Sequence, residues 1–276
     1  MNFHLALVYK CPADECFREV MLTVGVALHR LGHTVTWGDN LFRTDGTNIV
    51  FCFWRNPHAA PPNSIIYNLE PIVPERVADG RVPLQELRRF PVWDYSPQNV
   101  AELRSHGICA TCVPIGYVPE LTRIKPQKED LDVFLYGALT ERRITVIQTL
   151  GALGLKVFAS QSVYGAKRDA LIARARVVLN LHSESAIRAL ETVRISYLLA
   201  NQRAIVTELN EGDDFPEAYR GGLFDSSYQG LVDTTLLALG DDDQRRNVAQ
   251  RGFELFSQLD ECEILQSVIG ENTCAA

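Results

Sequence analysis

Apolar and polar residues follow one another along this chain in two distinct rhythms. Short, continuous apolar runs such as HLALVY at 4–9 are typical of strands that are covered on both faces of a sheet. The stretch 15–31 instead carries apolar residues at helical spacing, and the strand-like HTVTW at 33–37 follows it. The helically spaced residues are Val20, Val24, Ala27, Leu28 and Leu31. The start of the chain therefore predicts a β-α-β unit.

The same alternation continues through most of the remaining sequence. Before residue 118, further strands are predicted at 48–54, 64–70, 90–96 and 108–117, with a helix at 97–107. After residue 130, strands are predicted at 132–137, 155–160, 176–182 and 203–208. The helices of this second part are predicted at 142–154, 166–175, 186–202 and 241–259. Strands that alternate with helices indicate parallel sheets.

The segment 118–130, VPELTRIKPQKED, interrupts this alternation. Its prolines and its run of charged residues are typical of a linker between domains. The alternation on both sides predicts an α/β fold with two Rossmann-like, doubly wound domains that face each other across a cleft. We expect the first domain to span 1–120 and the second to span 121–243.

Length and composition are those of an ordinary globular protein. The 276 residues suit two domains, and 46% apolar and 22% charged residues are typical fractions. A formal charge of −7 gives no broad basic surface for nucleic acid or an anionic membrane. No window approaches the length of a transmembrane segment, and the N-terminus has neither a basic leader nor a small-residue cleavage site. We therefore expect a cytoplasmic protein without membrane insertion.

The seven cysteines are scattered, and their odd number without an export signal predicts reduced thiols. Cys109 and Cys112 form a CxxC pair, but no second pair at a matching spacing supplies the other ligands of a zinc site. The pair lies in a strand-like run, whereas a redox CxxC normally opens a helix. We interpret these cysteines as structural thiols.

Polar residues follow the predicted strands of the second half, at the ends where open α/β sheets bind ligands. Gly137 ends the first strand, and Arg142 and Arg143 stand at the start of the next helix. A helix N-terminus beside arginine suits an anion, and a planar guanidinium group binds phosphate through two hydrogen bonds. A diphosphate site is one interpretation; a solvated pair on a helix surface is the other. The residues at the other strand ends are Asn180, His182, Glu184 and Glu208.

The stretch ESAIRALETVRISYLLANQRAIVTE (184–208) contains two glutamates seven positions apart, Glu184 and Glu191. On a helix, that spacing brings both side chains to one face after about two turns. The stretch resembles the donor-nucleotide motif of GT-B glycosyltransferases, with Glu191 at the second acidic position, LLAN as the turn and AIVTE as the strand. Further strings are similar to those of small bacterial GT-B proteins of the spore-maturation, or glycosyltransferase family 1-like, type. These strings are IIYNLE, VWDYSPQNV, PIGYVPELTRI, YGALTERR, VLNLH and VRISYLLANQRAIVTE.

The resemblance implies a GT-B fold and a role for each donor-side residue. Glu191 would accept hydrogen bonds from the ribose, and Arg142 and Arg143 would bind the diphosphate. Arg194 would either pair with Glu191 or contact phosphate. The residues near the sugar would be His182, Glu184 and Glu208, and the donor side would be completed by Gly137 and Asn180. As in related folds, a last helix at about 244–262 is expected to pack back on the first domain.

Two features depart from the family pattern. The glutamates are spaced one residue shorter than in the commonest GT-B motif, and YKCPADEC stands where a glycine-rich loop would follow the first strand. GT-B enzymes generally stabilise the leaving diphosphate with helix dipoles and basic residues, so the resemblance implies no metal and no cofactor. The donor would be a nucleotide-diphosphate sugar, and UDP is the most frequent nucleotide. The acidic pairs and runs at 213–214 and 241–243 follow glycines and precede turns or helices, so we interpret them as caps.

The first half would hold the acceptor. Glu70 and Asp94 end predicted strands there, and an inverting enzyme needs a base for the acceptor hydroxyl. Glu70 is the first candidate and Asp94 the second. We therefore predict a glycosyltransferase whose acceptor is open between a glycan, a peptide, a DNA base and a metabolite. The alternatives are a non-catalytic nucleotide-sugar-binding module, and an epimerase or phosphorylase on the same fold.

Overall fold

The computed structural model describes residues 1–269, and its contacts divide the chain into two compact units. Of the described residues, unit 1 contains Met1–Glu120 and Leu259–Ile269, and unit 2 contains Leu121–Gln258. Each unit is built on one sheet, of six strands in unit 1 and five in unit 2. The strand pairs of both sheets are parallel throughout the described residues. The predicted α/β class with two Rossmann-like domains is therefore confirmed.

Strands and helices follow one another along both units. The strands are β1 (Asn2–Leu7), β2 (Thr34–Asp39), β3 (Thr47–Phe51), β4 (Ser64–Asn68), β5 (Val92–Asp94), β6 (Ala110–Cys112), β7 (Leu131–Tyr136), β8 (Val157–Ser160), β9 (Ala175–Asn180), β10 (Ile205–Glu208) and β11 (Phe224–Ser226). The helices are α1 (Arg18–Arg30), α2 (Pro74–Ala78), α3 (Leu84–Leu87), α4 (Pro97–Ser105), α5 (Glu141–Ala152), α6 (Gly165–Arg174), α7 (Thr192–Ala200), α8 (Leu231–Gly240), α9 (Asp242–Ser257) and α10 (Glu261–Ile269).

The sheet of unit 1 has the strand order β2-β1-β3-β4-β5-β6. Its central strand β1 is apolar throughout because both of its faces are covered, and Leu5 and Leu7 are completely buried. Helix α1 contacts β1 and β2 and buries Val24 and Leu28 completely. The strand order reverses between β1 and β3, so the loops that follow these two strands adjoin the crevice of unit 1.

The sheet of unit 2 has the strand order β11-β10-β9-β7-β8. Its core is formed by completely buried aliphatic side chains of the central strands, among them Val133, Leu135, Val177, Leu179 and Val206.

Helix α9 packs against α7 and α8. Its contact with the segment after Tyr219 is close, because a Cβ atom added to Gly222 would lie 2.5 Å from the Cα atom of Gly252.

The structure differs from the sequence prediction at four places after residue 185. Strand β11 and helix α8 were not predicted. The helix expected at 186–202 begins only at Thr192. The helical stretch expected at 244–262 is two helices: α9 packs within unit 2, and α10 packs against α1 in unit 1. Turn-forming residues after Ser257 end α9, and β-bridge pairing of Tyr117 with Asp260 leads the chain into α10.

Cys11, Cys16, Cys52, Cys112 and Cys262 are free thiols, as the sequence predicts, so the two cysteines of the CxxC pair are not bonded to each other. Among the helices of residues 1–269, none has both the length and the apolar character needed to cross a bilayer.

Candidate functional site

The strand order of unit 2 reverses between β7 and β9, because β8 lies on the other side of β7. At such a reversal the connections leave in opposite directions, and a crevice opens beyond the carboxyl ends of the two strands. Gly137 directly follows β7, and Leu181 and His182 directly follow β9. The candidate site is built around this crevice.

Arg143, in the first turn of α5, bridges the two strand ends. Its Nη1 atom donates to the carbonyl oxygen of Ala138 at 3.0 Å, and its Nε atom donates to that of Leu181 at 3.0 Å. Its Nη2 atom donates to Oε1 of Glu191 at 2.6 Å. The side chain is only 3% exposed. Arg143 therefore joins the β7 and β9 ends and holds Glu191, rather than presenting its charge to a ligand as the sequence suggested.

Glu191 directly precedes α7, and its carboxylate lies between two guanidinium groups. Oε1 accepts from Arg143, and Oε2 accepts from Nη1 of Arg194 at 2.6 Å. The same Nη1 atom donates to Oδ1 of Asn180, the last residue of β9, at 2.6 Å. Burial raises the pKa of Glu191, but the charges of Arg143 and Arg194 outweigh it and hold that pKa below its usual value. The result is an ionised carboxylate in a fixed orientation.

The crevice has room for Arg194 only because residue 137 is glycine. Gly137 has φ +107°, in the region that side-chain-bearing residues rarely adopt. A Cβ atom at this position would lie 2.8 Å from Nη2 of Arg194. Glycine therefore meets a conformational and a steric requirement at the same position.

Arg142 pairs with a different carboxylate. Its Nη2 atom donates to Oε1 of Glu208, at the end of β10, at 2.7 Å. Its guanidinium group lies 4.1 Å from the ring centroid of Tyr228, whose hydroxyl donates to the Arg142 carbonyl at 3.0 Å. The Arg142 side chain is 23% exposed, so of the two adjacent arginines it is the one that a ligand can reach.

His182 and Asp213 form a buried pair that the sequence did not predict. The Nε2 atom of His182 lies 3.1 Å from Oδ2 of Asp213, and the two side chains are 1% and 0% exposed. Oδ2 of Asp213 also accepts from the backbone N–H of Asn210 at 2.7 Å, which is the local capping expected from the sequence. The backbone N–H of His182 donates to Oε2 of Glu208 at 3.0 Å. No short-range pattern signals a pair formed by residues so far apart in the chain.

Glu184 does not share a helical face with Glu191, so that prediction is wrong. Helix α7 begins at Thr192, and the residues between the two glutamates form turns and an irregular stretch. An isolated β-bridge between Ala189 and Asp214 holds this stretch extended, although its composition is compatible with a helix. Glu184 is half-buried.

The two predicted bases of unit 1 lie in different environments. Asp94 is completely buried, and its carboxylate accepts hydrogen bonds from the side chains of Asn68 at 2.6 Å and Asn99 at 3.1 Å. The backbone N–H of Ser96 donates to it at 2.9 Å. Asp94 therefore fastens the ends of β4 and β5 together and does not project toward a ligand, contrary to expectation.

Glu70 lies at the wall of a small cavity that is also lined by Trp54 and Arg81. Its side chain is 13% exposed and forms an ion pair with Arg76. Burial raises the pKa of Glu70, and the charges of Arg76 and Arg81 offset this only in part. A carboxylate with a raised pKa beside a cavity is a candidate for proton transfer.

The strand reversal of unit 1 also carries a buried carboxylate beside an arginine. Oδ1 of Asp14 accepts from Nε of Arg55 at 2.8 Å, and Oδ2 accepts from the backbone N–H groups of Lys10 and Cys11 at 2.8 and 2.9 Å. The Arg55 guanidinium group lies 3.9 Å from the ring centroid of Trp54. The segment YKCPADEC is thus organised by Asp14 where other folds of this kind use glycines.

Within residues 1–269, no group of three or more His, Cys, Asp and Glu side chains is arranged to hold a metal ion. The absence of a metal requirement stays a prediction.

Comparison with known proteins identifies the fold. No family model matches the sequence. The uncharacterized protein L140 of Acanthamoeba polyphaga mimivirus is 26% identical over 181 residues, which cover 63% of this chain and 58% of the viral protein. The chain thus spans less than two thirds of that relative's length.

Several solved structures are similar over nearly the whole chain. Alr3699/HepE of Anabaena, in complex with UDP and glucose, has a TM-score of 0.66 at 11% identity, covering 98% of this chain and 99% of that one. The glycosyltransferase WaaG, involved in lipopolysaccharide biosynthesis, has a TM-score of 0.63 at 11% identity, with 99% and 100% coverage. The sucrose-phosphate synthase of Thermosynechococcus elongatus has a TM-score of 0.64 at 12% identity, with complete coverage of both chains. The fold of this protein is therefore the GT-B fold of glycosyltransferases.

Proposed function

We propose that this protein is a glycosyltransferase that moves a sugar from a nucleotide-diphosphate donor to an acceptor hydroxyl. The observation that carries the proposal is the Glu191 carboxylate, held ionised between Arg143 and Arg194 beside Gly137 at the strand reversal of unit 2. A carboxylate fixed in this way retains free lone pairs, and 18% of its side chain is exposed. It suits the two hydroxyl groups of a ribose.

The diphosphate would lie at the start of α5. The first backbone N–H groups of a helix have no partner within the helix, and the N-cap residue Thr140 makes no capping bond with its side chain. Its hydroxyl oxygen is buried without a hydrogen-bond partner among the described residues. The exposed edge of Arg142 would add a positive charge. In this proposal Arg143 positions Glu191 instead of binding phosphate.

UDP is the nucleotide that we propose, because HepE has been solved with UDP and with UDP-glucose. No metal or cofactor forms part of the proposal. We also propose a cytoplasmic location and membership of the spore-maturation type, because of the sequence patterns described above.

Glu70 is the acceptor-side base in this proposal. Its raised pKa makes it a better proton acceptor than an ordinary surface carboxylate, and it borders a cavity. Asp94 has no such role, because its carboxylate is occupied by two asparagine side chains and a backbone N–H.

The test measures the binding of UDP, GDP, ADP and UDP-glucose to the protein in two ways, as a rise in the melting temperature and by calorimetry. A ligand at 100 times its dissociation constant adds about 2.7 kcal/mol of stability. We expect a response to UDP and UDP-glucose that is weakened about tenfold or more in Arg142→Gln, since a charge-assisted hydrogen bond is lost. Arg246→Gln, which replaces an arginine that is 65% exposed on α9, is the matched control. An unchanged melting temperature with every nucleotide would refute the proposal.

A non-catalytic nucleotide-sugar-binding module is the second candidate. The ion pair of Glu70 with Arg76 favours it, because the guanidinium group occupies the carboxylate that would have to reach an acceptor hydroxyl. If the wild-type protein transfers or hydrolyses the glucose of UDP-glucose and Glu70→Gln does not, this candidate is excluded.

A further inference from the structure

The buried pair of His182 and Asp213 has two polar atoms without a hydrogen-bond partner among residues 1–269, Nδ1 of His182 and Oδ1 of Asp213; the second lies 3.9 Å from Nε of Arg188. Nε2 of His182 is engaged by Oδ2 of Asp213 at 3.1 Å. The other ring nitrogen, Nδ1, is buried and has no hydrogen-bond partner within residues 1–269. A buried polar atom without a partner is destabilising, and native proteins seldom retain one without a reason. Nδ1 therefore needs a partner that residues 1–269 do not supply.

Asp213 determines which ring nitrogen carries the proton. A carboxylate oxygen accepts hydrogen bonds and donates none, so Nε2 must be the N–H donor. In the neutral imidazole, Nδ1 then holds a lone pair and can only accept. The backbone N–H of Asn210 donates to the same Asp213 oxygen at 2.7 Å, which fixes the carboxylate from the other side.

The location of the ring limits the kind of partner. His182 directly follows β9 at the strand reversal, and its carbonyl oxygen lies 3.4 Å from Nη1 of Arg142. A phosphate oxygen is itself an acceptor and cannot satisfy the Nδ1 lone pair. A hydroxyl group can, and in a nucleotide sugar the hydroxyl groups belong to the ribose and to the transferred sugar.

We propose that Asp213 is a positioning residue, which holds the proton of His182 on Nε2 so that Nδ1 accepts a hydrogen bond from a hydroxyl group of the donor's transferred sugar. The inference rests on the proposed function and deepens it. In the proposed function, Glu191 binds the ribose, which UDP and UDP-sugar share. The contact of His182 with the sugar would therefore make the affinity for UDP-sugar higher than the affinity for UDP.

The first test compares the affinities for UDP-glucose and for UDP in the same variants. Asp213→Ala removes the acceptor for Nε2–H, and we expect the ratio of the two affinities to fall about fivefold while UDP affinity is retained, as for the loss of one hydrogen bond. Asp213→Asn keeps an oxygen acceptor and should preserve most of the ratio. Glu211→Ala, which removes an exposed carboxylate from the same loop, is the control.

The second test is a ¹⁵N NMR spectrum of the imidazole of His182 at about pH 8.5, where an ordinary imidazole is neutral. We expect the proton on Nε2 in the wild type and in Asp213→Asn, and a mixture of tautomers in Asp213→Ala. Addition of UDP-glucose should shift the Nδ1 resonance, and addition of UDP alone should not. A purely structural Asp213 would change stability without producing these signatures.

The outcomes separate this inference from the proposed function. If UDP binds normally and Asp213→Ala leaves the affinity ratio unchanged, or if the proton lies on Nδ1 in the wild type, the inference is refuted and the donor site stands. If neither UDP nor UDP-glucose binds the wild-type protein, the proposed function fails and the inference fails with it. Retained UDP binding in each variant also shows that unit 2 is folded.

Discussion

Arg143 and Glu191 form a nearly buried ion pair, with Nη2 of the arginine 2.6 Å from Oε1 of the glutamate and the arginine side chain 3% exposed. The pair joins α5 to the start of α7 across the ends of β7 and β9. Removal of two charges from water is costly, and the pair is stable only because carbonyl oxygens and Arg194 satisfy the remaining donors and acceptors.

Loss of Arg143 should therefore destabilise unit 2 strongly. Arg143→Met leaves the Glu191 carboxylate buried with one guanidinium partner, and we expect a loss of roughly 3 kcal/mol or more in the free energy of unfolding. The double variant Arg143→Met/Glu191→Gln should lose less than the sum of the single losses, because no uncompensated charge remains. Urea unfolding measures the free energy of unfolding of the two single variants and the double variant. If the loss in the double variant equals the sum of the single losses, the two residues are not energetically coupled.

Gly137→Ala should damage both stability and donor binding. The new methyl group would meet Nη2 of Arg194 at 2.8 Å, in a backbone conformation that alanine disfavours. We expect a loss of about 1–3 kcal/mol and weaker UDP binding. Gly151→Ala is the matched control, because that position lies within α5, has no atom within 4 Å of an added Cβ atom, and should be stabilised by about 0.5–1 kcal/mol. Equal effects at the two positions would argue against this interpretation of Gly137.

Stability should depend on pH through Glu261 in unit 1. Burial raises the pKa of this carboxyl group from 4.5 to about 8, although the backbone N–H of Gly116 donates to it at 2.6 Å. The folded state therefore binds a proton that the unfolded state releases between these two pH values. Stability from this group is fully present below about pH 4.5 and falls by up to about 1.4 kcal/mol per pH unit until about pH 8.

The variant Glu261→Gln tests this pH dependence. Glutamine keeps an oxygen acceptor for Gly116 and does not ionise, so the difference in unfolding free energy between variant and wild type should grow from pH 5 to pH 8, in the direction of a more stable variant. Denaturant unfolding at several pH values gives the difference directly. A difference that is constant across this range would show that Glu261 does not titrate in the folded protein as expected.

Glu70 and Asp94 should separate catalysis from stability. Glu70→Gln should lower the rate of transfer by a factor of about 10²–10⁴ with little change in UDP affinity. Asp94→Ala should instead lower the unfolding free energy of unit 1 by about 3 kcal/mol, because it leaves buried donors of Asn68 and Asn99 without their acceptor. Transfer by Glu70→Gln at the wild-type rate would remove Glu70 from the mechanism.

The apolar runs were sufficient to predict most strands, because a doubly covered strand has a signature that is local in sequence. The start of α7 was mispredicted because AIRAL is compatible with a helix, and its irregular conformation depends on the bridge of Ala189 with Asp214. The short strand β11 lies between glycines and loops and carries too few apolar residues to be recognised.

The position of the candidate site was predicted from the sequence, and the pair of Arg194 with Glu191 was one of two stated alternatives, but the pairs made by Arg142, Arg143 and His182 were not predicted. Strand ends are readable from sequence, so the donor-side residues were expected in one region. The carboxylates that pair with Arg142 and Arg143 lie 66 and 48 positions away in the chain, beyond the reach of any local pattern. That is why Arg143 was expected to bind phosphate and Asp213 was expected to act as a cap alone.

Gly222 and Gly252 have a consequence for protein engineering. An added Cβ atom at position 252 would stand 2.5 Å from the carbonyl oxygen of Gly222 and 2.7 Å from a methyl carbon of Leu199 in α7. The main chain at Gly222 lies on one side of this position and helix α7 lies on the other, so no side chain larger than hydrogen has room there. A saturation library should retain only glycine at this position under any selection that requires a folded second unit, whatever the donor or acceptor used in the screen.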